Sequence, residues 1–182
     1  NNPKEVKPHW VSHFIVPTAN ELLIKIKNKD GNSGFGLATN YTDIKPIIKP
    51  FSNGLQNLII GEDPFCPEKL YEKIFKLTDT RLSNEKGWSR EALIRISAAL
   101  DIACWDLIGK ASKIPLYKLF GGYRNKIPVY VTCAYYRDGK DENELREELQ
   151  KLIKIGHQSF KVKVGGLSIK EDAKRLEIIR QE

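Results

Sequence analysis

The first third of the chain alternates polar and apolar residues in the manner of a half-buried sheet. In Leu22–Lys27, leucine and isoleucine fill one face and the other face is mostly polar, as in a strand with one buried side. Lys29–Asn32 is a turn sequence. Ser33–Leu37 then predicts a returning strand, which completes a hairpin and opens into a loop over Ala38–Asp43. The preceding His9–Asn20 contains a proline and has no clean period, which predicts a loop with some strand character.

The middle of the chain has helical periodicity. Ile44–Ile59 and Pro67–Leu77 predict helices that are interrupted by Gly54 and by the Gly-Glu-Asp-Pro run at 61–64. Ser89 then opens the most strongly patterned helix, and Pro115 marks its end. Apolar residues recur there at i, i+3, i+4 and i+7 and form one continuous stripe: Ile96, Ala99, Leu100, Ala103, Cys104, Leu107, Ile108 and Ala111.

The last third changes to alternating strands and helices. Ile127–Cys133 predicts a strand, and Asp141–Ile155 predicts a helix with a capping box at its start and a glycine at its end. Ser159–Val164 predicts the next strand, and a second capping box of Ser168 and Glu171 opens the final helix. Strand, helix, strand and helix at this spacing are typical of parallel βα units.

Composition and charge are those of an ordinary soluble globular protein with a basic surface. The 182 residues are 41% hydrophobic and 29% charged, no apolar run approaches the roughly 20 residues of a membrane helix, and the polar start lacks the apolar part of a secretory signal. Three cysteines stand far apart without metal or disulfide spacing. We therefore expect a cytoplasmic protein with no membrane contact.

The net charge of +7 permits two kinds of partner. A positive field attracts anionic small molecules, and it also attracts nucleic acids. The lysines are scattered and no basic run with interleaved aromatics occurs. We therefore expect a small-molecule substrate and no nucleic acid.

The segment Phe160–Val164 has the most informative polar pattern. Because strand side chains alternate, its Phe and Val residues share one face, and Lys161 and Lys163 share the other. In a βα barrel the apolar face meets the helices, so the lysines would face the interior near the strand's C-terminal end, where active sites form. Ammonium groups about 7 Å apart in an enclosed space lower each other's pKa, which lets a lysine act as a base. An isolated pair of this kind is more typical of a solvated edge strand, and the flanking βα pattern narrows that difference without removing it.

Three ordered stretches carry a family resemblance. They are the helix Ala98–Lys110 with the following Pro115–Gly122, the turn and strand Lys126–Tyr130, and the lysine pair. Together with the hairpin and the loop 40–42, they resemble the mandelate racemase and muconate lactonizing enzyme family of the enolase superfamily. The resemblance implies an α+β capping domain, an antiparallel sheet plus helices, over residues 1–123. It implies that residues 124–182 are the first two βα units of a (β/α)7β TIM-like barrel.

The resemblance also implies a chemistry, the abstraction of a proton α to a carboxylate with Mg²⁺ stabilising the enediolate. This superfamily is itself a standard example of a lysine base used with Mg²⁺. By resemblance, Lys163 is the base or acid at the α-carbon, and Lys161 neutralises the carboxylate and lowers the pKa of Lys163. The family's metal ligands lie on the third to fifth barrel strands. We therefore assign no metal ligand among residues 1–182 and expect this chain alone to bind no Mg²⁺ and to be inactive.

Two loops and the end of the first barrel strand supply candidate substrate contacts by the same resemblance: Trp10, His13, Asn40, Tyr41, Tyr135 and Tyr136. The implied protein is a homo-oligomeric lyase, a dehydratase of an acid sugar. Three alternatives stay open. They are a racemase or epimerase of a 2-substituted carboxylic acid, a non-enzymatic basic binding module, and a non-catalytic relative with a structural barrel.

Overall fold

The computed structural model describes residues 9–11, 14–16, 20–41 and 43–182. Within these residues no helix is both long enough and apolar enough to cross a bilayer. Backbone proximity divides the chain into two compact units, Ala19–Asn125 and a second unit that joins Lys126–Glu182 to the described residues before Thr18.

The elements of the described residues follow one another as β1 (His9–Val11), β2 (Phe14–Val16), β3 (Asn20–Lys27), β4 (Ser33–Asn40), α1 (Lys45–Ser52), α2 (Gln56–Ile59), α3 (Pro67–Phe75), α4 (Arg81–Lys86), α5 (Arg90–Ser112), α6 (Leu116–Leu119), β5 (Val131–Cys133), α7 (Glu142–Ile155), β6 (Phe160–Val162) and α8 (Ile169–Gln181).

The unit Ala19–Asn125 is built on the antiparallel hairpin of β3 and β4. As the alternation predicts, Leu22, Ile24 and Ile26 of β3 face the core. The predicted loop over Ala38–Asp43 is wrong in its first part, because β4 continues to Asn40. Ala38 is buried and pairs with Leu22, so the long partner strand β3 carries the ladder beyond the predicted end.

Helix α5 lies directly on the backbone of β4. A Cβ added to Gly36 would lie 1.8 Å from the carbonyl oxygen of Ala99, and one added to Gly34 would lie 2.0 Å from that of Ala103. Such distances leave room only for hydrogen on the strand. The two glycines therefore let the helix and strand approach without an intervening layer of strand side chains.

The predicted bounds of α5 are confirmed. Ser89 caps its start by accepting a hydrogen bond from the backbone N–H of Ala92 at 3.1 Å, which satisfies one of the free donors of a helix N-terminus. Asp106 and Lys110 form an i, i+4 ion pair on this helix, with Lys110 Nζ 2.5 Å from Asp106 Oδ2. The same carboxylate accepts the backbone N–H of Phe35 at 2.9 Å and so ties the helix to β4.

The short helix α4 was not predicted. Thr80 caps it in a reciprocal arrangement with Ser83, where capping boxes usually carry Glu or Gln. Gly87 ends it in the left-handed conformation, with φ at 64°. Helices α1 and α3 also pack on α5, which closes the core of this unit around Ile47, Leu55, Leu70, Ile74, Trp88, Leu93, Ile96, Ala99 and Leu100.

The unit that contains Lys126–Glu182 has the predicted parallel βα order. Strands β5 and β6 pair in parallel, with Val131 opposite Phe160 and Cys133 opposite Val162. Helices α7 and α8 cover one face with a small core of Cys133, Ala134, Leu145, Leu149 and Ile178. Both strands are shorter than predicted. Residues 127–130 form no ladder, and Pro128 in that stretch has no N–H to donate.

The two capping boxes of this unit turn out differently. Ser168 and Glu171 form both reciprocal hydrogen bonds at the start of α8. Asp141 accepts the backbone N–H of Glu144 at 2.8 Å, but the Glu144 carboxylate pairs with Arg137. The capping box of Asp141 and Glu144 is therefore half formed, because the nearby Arg137 guanidinium binds the Glu144 carboxylate.

Strands β1 and β2 lie in the stretch predicted as a loop. They pair antiparallel, with His9 opposite Val16 and Trp10 opposite Ile15. Trp10 also exchanges two backbone hydrogen bonds with Tyr136, at 3.0 and 3.3 Å. These bonds attach the hairpin to the segment that follows β5.

Candidate active site

The lysine pair lies on and just after β6. Phe160 and Val162 pack against the helix-side core, so Lys161 between them leaves the opposite face of the strand. Its Nζ lies 5.8 Å from the ring centroid of Tyr130. Lys163 is half-buried, and its Nζ lies 5.7 Å from the ring centroid of Tyr135. Both ammonium groups therefore lie beside tyrosine rings that flank β5.

Tyr135 connects Lys163 to the β1–β2 hairpin. The ring of His9 meets that of Tyr135 edge to face, with 4.9 Å between centroids. Trp10 stacks on Tyr136 at 5.9 Å. Trp10, Tyr135 and Tyr136 thus lie together with Lys163 in one unit, and their contact with substrate stays a prediction.

Tyr136 is buried and its hydroxyl is fully engaged. It donates a hydrogen bond to Asp172 Oδ1 at 2.7 Å and accepts the backbone N–H of Gly166 at 3.1 Å. Arg175 lies 4.1 Å from the Tyr136 ring centroid and pairs with Asp172 at 2.9 Å. We call Tyr136, Asp172 and Arg175 the strand-end cluster.

The ionisation of the strand-end cluster is set by its own contacts. Burial, and then the hydrogen bond to Asp172, raises the pKa of Tyr136, so the hydroxyl stays protonated and able to donate. Burial alone would raise the pKa of Asp172. Hydrogen bonds from Tyr136, the N–H of Gly165 and Arg175 outweigh burial and lower the pKa, so the carboxylate is charged at neutral pH.

Ala134 takes a left-handed turn directly after β5, with φ at 55°, a conformation that non-glycine residues rarely adopt. The residue is fully buried, and both its backbone groups are bound. Its N–H donates to Glu148 at 3.0 Å, and its carbonyl accepts from Arg175 at 2.7 Å. The turn sets the direction in which Tyr135 and Tyr136 leave the strand.

A cavity of about 610 Å³ adjoins the strand-end cluster, and neither lysine of the pair lines it. Its walls come from Trp10, from the loop after β5 and from the first turns of α7 and α8. Each of its basic side chains is ion-paired, Arg137 with Glu144, Lys140 with Glu148, Lys174 with Glu142, and Arg175 with Asp172. We therefore do not assign substrate to this cavity.

The remaining predicted contact residues lie elsewhere. Asn40 ends β4 and donates to the carbonyl oxygen of Asp43 at 2.7 Å. Tyr41 follows and is exposed. Both belong to the unit Ala19–Asn125. His13 lies outside the described residues.

The described residues do not fit a metal site. Across residues 9–11, 14–16, 20–41 and 43–182, no group of three or more His, Cys, Asp or Glu side chains is placed to hold a metal ion. Divalent magnesium needs several oxygen ligands around one point, so no metal-dependent step is assigned to these side chains.

Sequence reasoning missed Asp172 and Arg175. Each lies on α8 at a position that looks like an ordinary charged surface site, yet Asp172 is only 7% exposed. The one local signal is their i, i+3 spacing, which suits an ion pair but does not indicate that Tyr136 would join it.

A family model described as the mandelate racemase / muconate lactonizing enzyme N-terminal domain matches residues 1–121. The chain therefore belongs to the mandelate racemase / muconate lactonizing enzyme family. This confirms the predicted fold class, since the described residues form an antiparallel sheet with helices followed by two parallel βα units. The domain boundary at 123 stays a prediction.

Relatives in this family perform more than one reaction. An arabinonate dehydratase of Saccharolobus solfataricus is 34% identical over 157 residues, which are 86% of this chain and 40% of that protein. A solved mandelate racemase/muconate lactonizing enzyme structure is 29% identical, with a TM-score of 0.80, over 97% of this chain and 46% of its own. A racemase from Streptomyces coelicolor A3(2), solved with bound magnesium, is 27% identical, with a TM-score of 0.75, over 90% of this chain and 47% of its own.

The chain spans less than half the length of the arabinonate dehydratase and of seven further relatives that it resembles. The activity and substrate of the full-length protein are therefore proposed below.

Proposed function

We propose that the full-length protein abstracts a proton α to the carboxylate of a small organic acid and that the overall reaction is the dehydration of a sugar acid. The observation that carries the proposal is the lysine pair of β6, with Lys161 leaving the strand face opposite the helix-side core. The resemblance to an arabinonate dehydratase supports the choice of a sugar acid.

Each lysine has a distinct task in this reaction. The neutral amine of Lys163 takes the α-proton, so an N–H bond forms as the C–H bond breaks. The electron pair moves into the carboxylate and gives an enediolate with two negative charges. Lys161 stays protonated beside that carboxylate, and a fixed cation close to developing charge stabilises the transition state.

The second half of the reaction distinguishes a dehydratase. The enediolate electrons return and expel the β-hydroxyl, which leaves as water after it gains a proton. The enol product then tautomerises to a 2-keto-3-deoxy acid. A relative has bound magnesium, but the described residues offer no site for that ion. We therefore assign it no part in either the proton abstraction or the loss of water.

Racemisation or epimerisation of a 2-substituted acid is the second candidate, and the resemblance to a Streptomyces coelicolor racemase favours it. The same lysine would remove the α-proton, and reprotonation would take place on the opposite face. A basic binding module is less well supported, because the chain belongs to a family whose relatives are lyases and isomerases. Homo-oligomerisation and a cytoplasmic location stay predictions.

The test is a panel of sugar acids and 2-substituted acids given to the full-length protein in D₂O with Mg²⁺. Mass spectrometry and ¹H NMR separate loss of water to a keto-deoxy acid from deuterium uptake with retained formula. Lys163→Ala is expected to lower both α-proton exchange and turnover by at least about 100-fold, since general base catalysis contributes roughly 10²–10⁴-fold.

Lys170→Ala is the matched control. Lys170 is an exposed lysine in the first turn of α8, so its removal changes the net charge equally without touching the pair. Undiminished exchange in Lys163→Ala, or equal losses in both variants, would leave the lysine pair without a catalytic role.

A further inference from the structure

The strand-end cluster holds the backbone from the carbonyl group of Lys163 to Gly166. Arg175 donates to the carbonyl oxygen of Lys163 at 3.2 Å. Asp172 accepts the N–H of Gly165 at 2.6 Å, and Tyr136 accepts the N–H of Gly166 at 3.1 Å. Three hydrogen bonds from three side chains thus fix the short segment that begins at the proposed base.

The cluster also holds the end of the neighbouring strand. The second guanidinium nitrogen of Arg175 donates to the carbonyl oxygen of Ala134 at 2.7 Å, in the left-handed turn after β5. Arg175 therefore bridges the C-terminal ends of β5 and β6. The side chains beside the two turns, Tyr135 and Lys163, are 5.7 Å apart from ring centroid to Nζ.

Gly166 also packs tightly against the ring of Tyr136. A Cβ on Gly166 would lie 2.6 Å from Cε2 of Tyr136, so the peptide rests against the ring. Trp10 stacks on the same ring, and the Arg175 guanidinium lies 4.1 Å from its centroid. Tyr136 is only 3% exposed, so little of its surface is left for a substrate to contact.

We propose that Tyr136, Asp172 and Arg175 are positioning residues that hold Lys163 in the geometry needed for proton transfer. The inference rests on the proposed function, and it assigns Tyr136 a role different from the substrate contact expected from sequence. The physical reason is that proton transfer needs donor and acceptor within hydrogen-bond reach. A misplacement of about 1 Å can cost about 100-fold in rate.

The experiment compares variants of the full-length protein by steady-state kinetics and α-proton exchange. Tyr136→Phe keeps the ring and removes only the hydroxyl with its two hydrogen bonds. Asp172→Asn removes the charge that joins Tyr136, Gly165 and Arg175. We expect kcat to fall about 10-fold for the first variant and up to about 100-fold for the second, with KM changed by less than about 2-fold.

Glu171→Gln is the matched control. Glu171 lies next to Asp172 in the first turn of α8, but its carboxylate accepts hydrogen bonds from the N–H and the hydroxyl of Ser168 and takes no part in the three bonds that hold Lys163, Gly165 and Gly166. Its loss removes one negative charge from the same helix end, so any effect of stability or helix charge appears in it too. We expect its kcat per folded molecule to match the wild type.

Amide hydrogen exchange gives a readout that does not depend on turnover. The N–H of Gly166 should exchange faster in Tyr136→Phe, and that of Gly165 faster in Asp172→Asn, than in Glu171→Gln, while amides of the α7 interior stay unchanged. An unchanged rate at both glycines overturns the proposed restraint even if a variant loses activity.

The kinetic outcomes separate the two proposals. If the wild type exchanges the α-proton and both cluster variants keep its kcat per folded molecule, positioning is overturned and the proposed function stands. If Tyr136→Phe raises KM alone, the tyrosine is a substrate contact and positioning is again overturned. If the wild type exchanges no α-proton, the proposed function fails and the positioning role falls with it.

Discussion

Replacement of Gly36 by alanine tests how closely helix α5 lies on strand β4. The added methyl carbon would stand 1.8 Å from the carbonyl oxygen of Ala99 and 3.0 Å from the backbone nitrogen of Ala103. Both atoms belong to helix backbone, so no side chain can rotate out of the way. The strand and helix must separate until the closest approach reaches at least the 3.4 Å of ordinary contact.

That separation would disturb the best-buried part of the unit. Leu93, Ile96 and Leu107 of α5 are each 0% exposed, and a shifted helix loosens the contacts of all three. Overpacking a core usually costs about 1–3 kcal/mol. Because backbone meets backbone here, we expect a loss of about 3 kcal/mol or more in the free energy of unfolding.

Urea unfolding followed by circular dichroism provides the measurement. With m-values of about 1–3 kcal/mol/M, the expected loss lowers the midpoint by about 1 M or more. Leu37→Ala is the control on the opposite strand face, where the side chain is 41% exposed, and should cost about 1 kcal/mol or less. A Gly36→Ala midpoint equal to that of the control would refute the close backbone packing.

Two further predictions concern titratable side chains, the carboxylate of Asp106 and the three cysteine thiols. The pKa of Asp106 is lowered, first by the hydrogen bond from Lys110 and also by the N–H of Phe35. The charged carboxylate therefore stabilises the fold at neutral pH, and this stabilisation is lost as the pH falls through the lowered pKa. Asp106→Asn should be less stable than the wild type at pH 7 by up to about 1 kcal/mol, and the urea midpoints of the two proteins should become equal near pH 2. A difference in midpoint that stays the same from pH 7 to pH 2 would contradict this. Burial raises the pKa of Cys104 to about 11. Burial also raises the pKa of Cys133, whereas Cys66 is exposed. Ellman's reagent at pH 8 should label one thiol per native chain rapidly and the other two only in urea, and rapid labelling of all three would contradict the burial.

Local signals were enough to predict much of the secondary structure. The cap at Ser89, the apolar stripe of α5 and the reciprocal bonds of Ser168 and Glu171 all depend on residues within one or two turns of each other. The alternation of β3 likewise follows from one buried face. Such features are encoded in neighbouring residues, so a sequence pattern finds them.

The packing of β4 could not be predicted in the same way. Its large apolar residues, Phe35 and Leu37, are 39% and 41% exposed, while Gly34, Gly36 and Ala38 face inward. A hydrophobicity pattern favours the opposite orientation. The outcome depends on the close approach of α5, which is a tertiary contact between residues about 70 positions apart, such as Phe35 and Asp106.

The same limit applies to the candidate site. The alternation of β6 predicted that Lys161 would leave the face opposite Phe160 and Val162, and the packing of those two residues agrees. Asp172 and Arg175 escaped notice because their partner Tyr136 is 36 residues from Asp172. Helical spacing shows that the two can pair with each other, but it cannot show which strand end they bind.

The glycine contact between β4 and α5 also bears on how this family can diversify. With no layer of strand side chains to compress, a larger residue at Gly34 or Gly36 fits only if the hairpin and the helix separate. We therefore expect substitutions to be tolerated better in the hairpin turn at 29–32 and in the residues that follow Asn40 than at these two glycines. The loops at the two ends of β3 and β4 can then change while the packing of β4 on α5 stays the same.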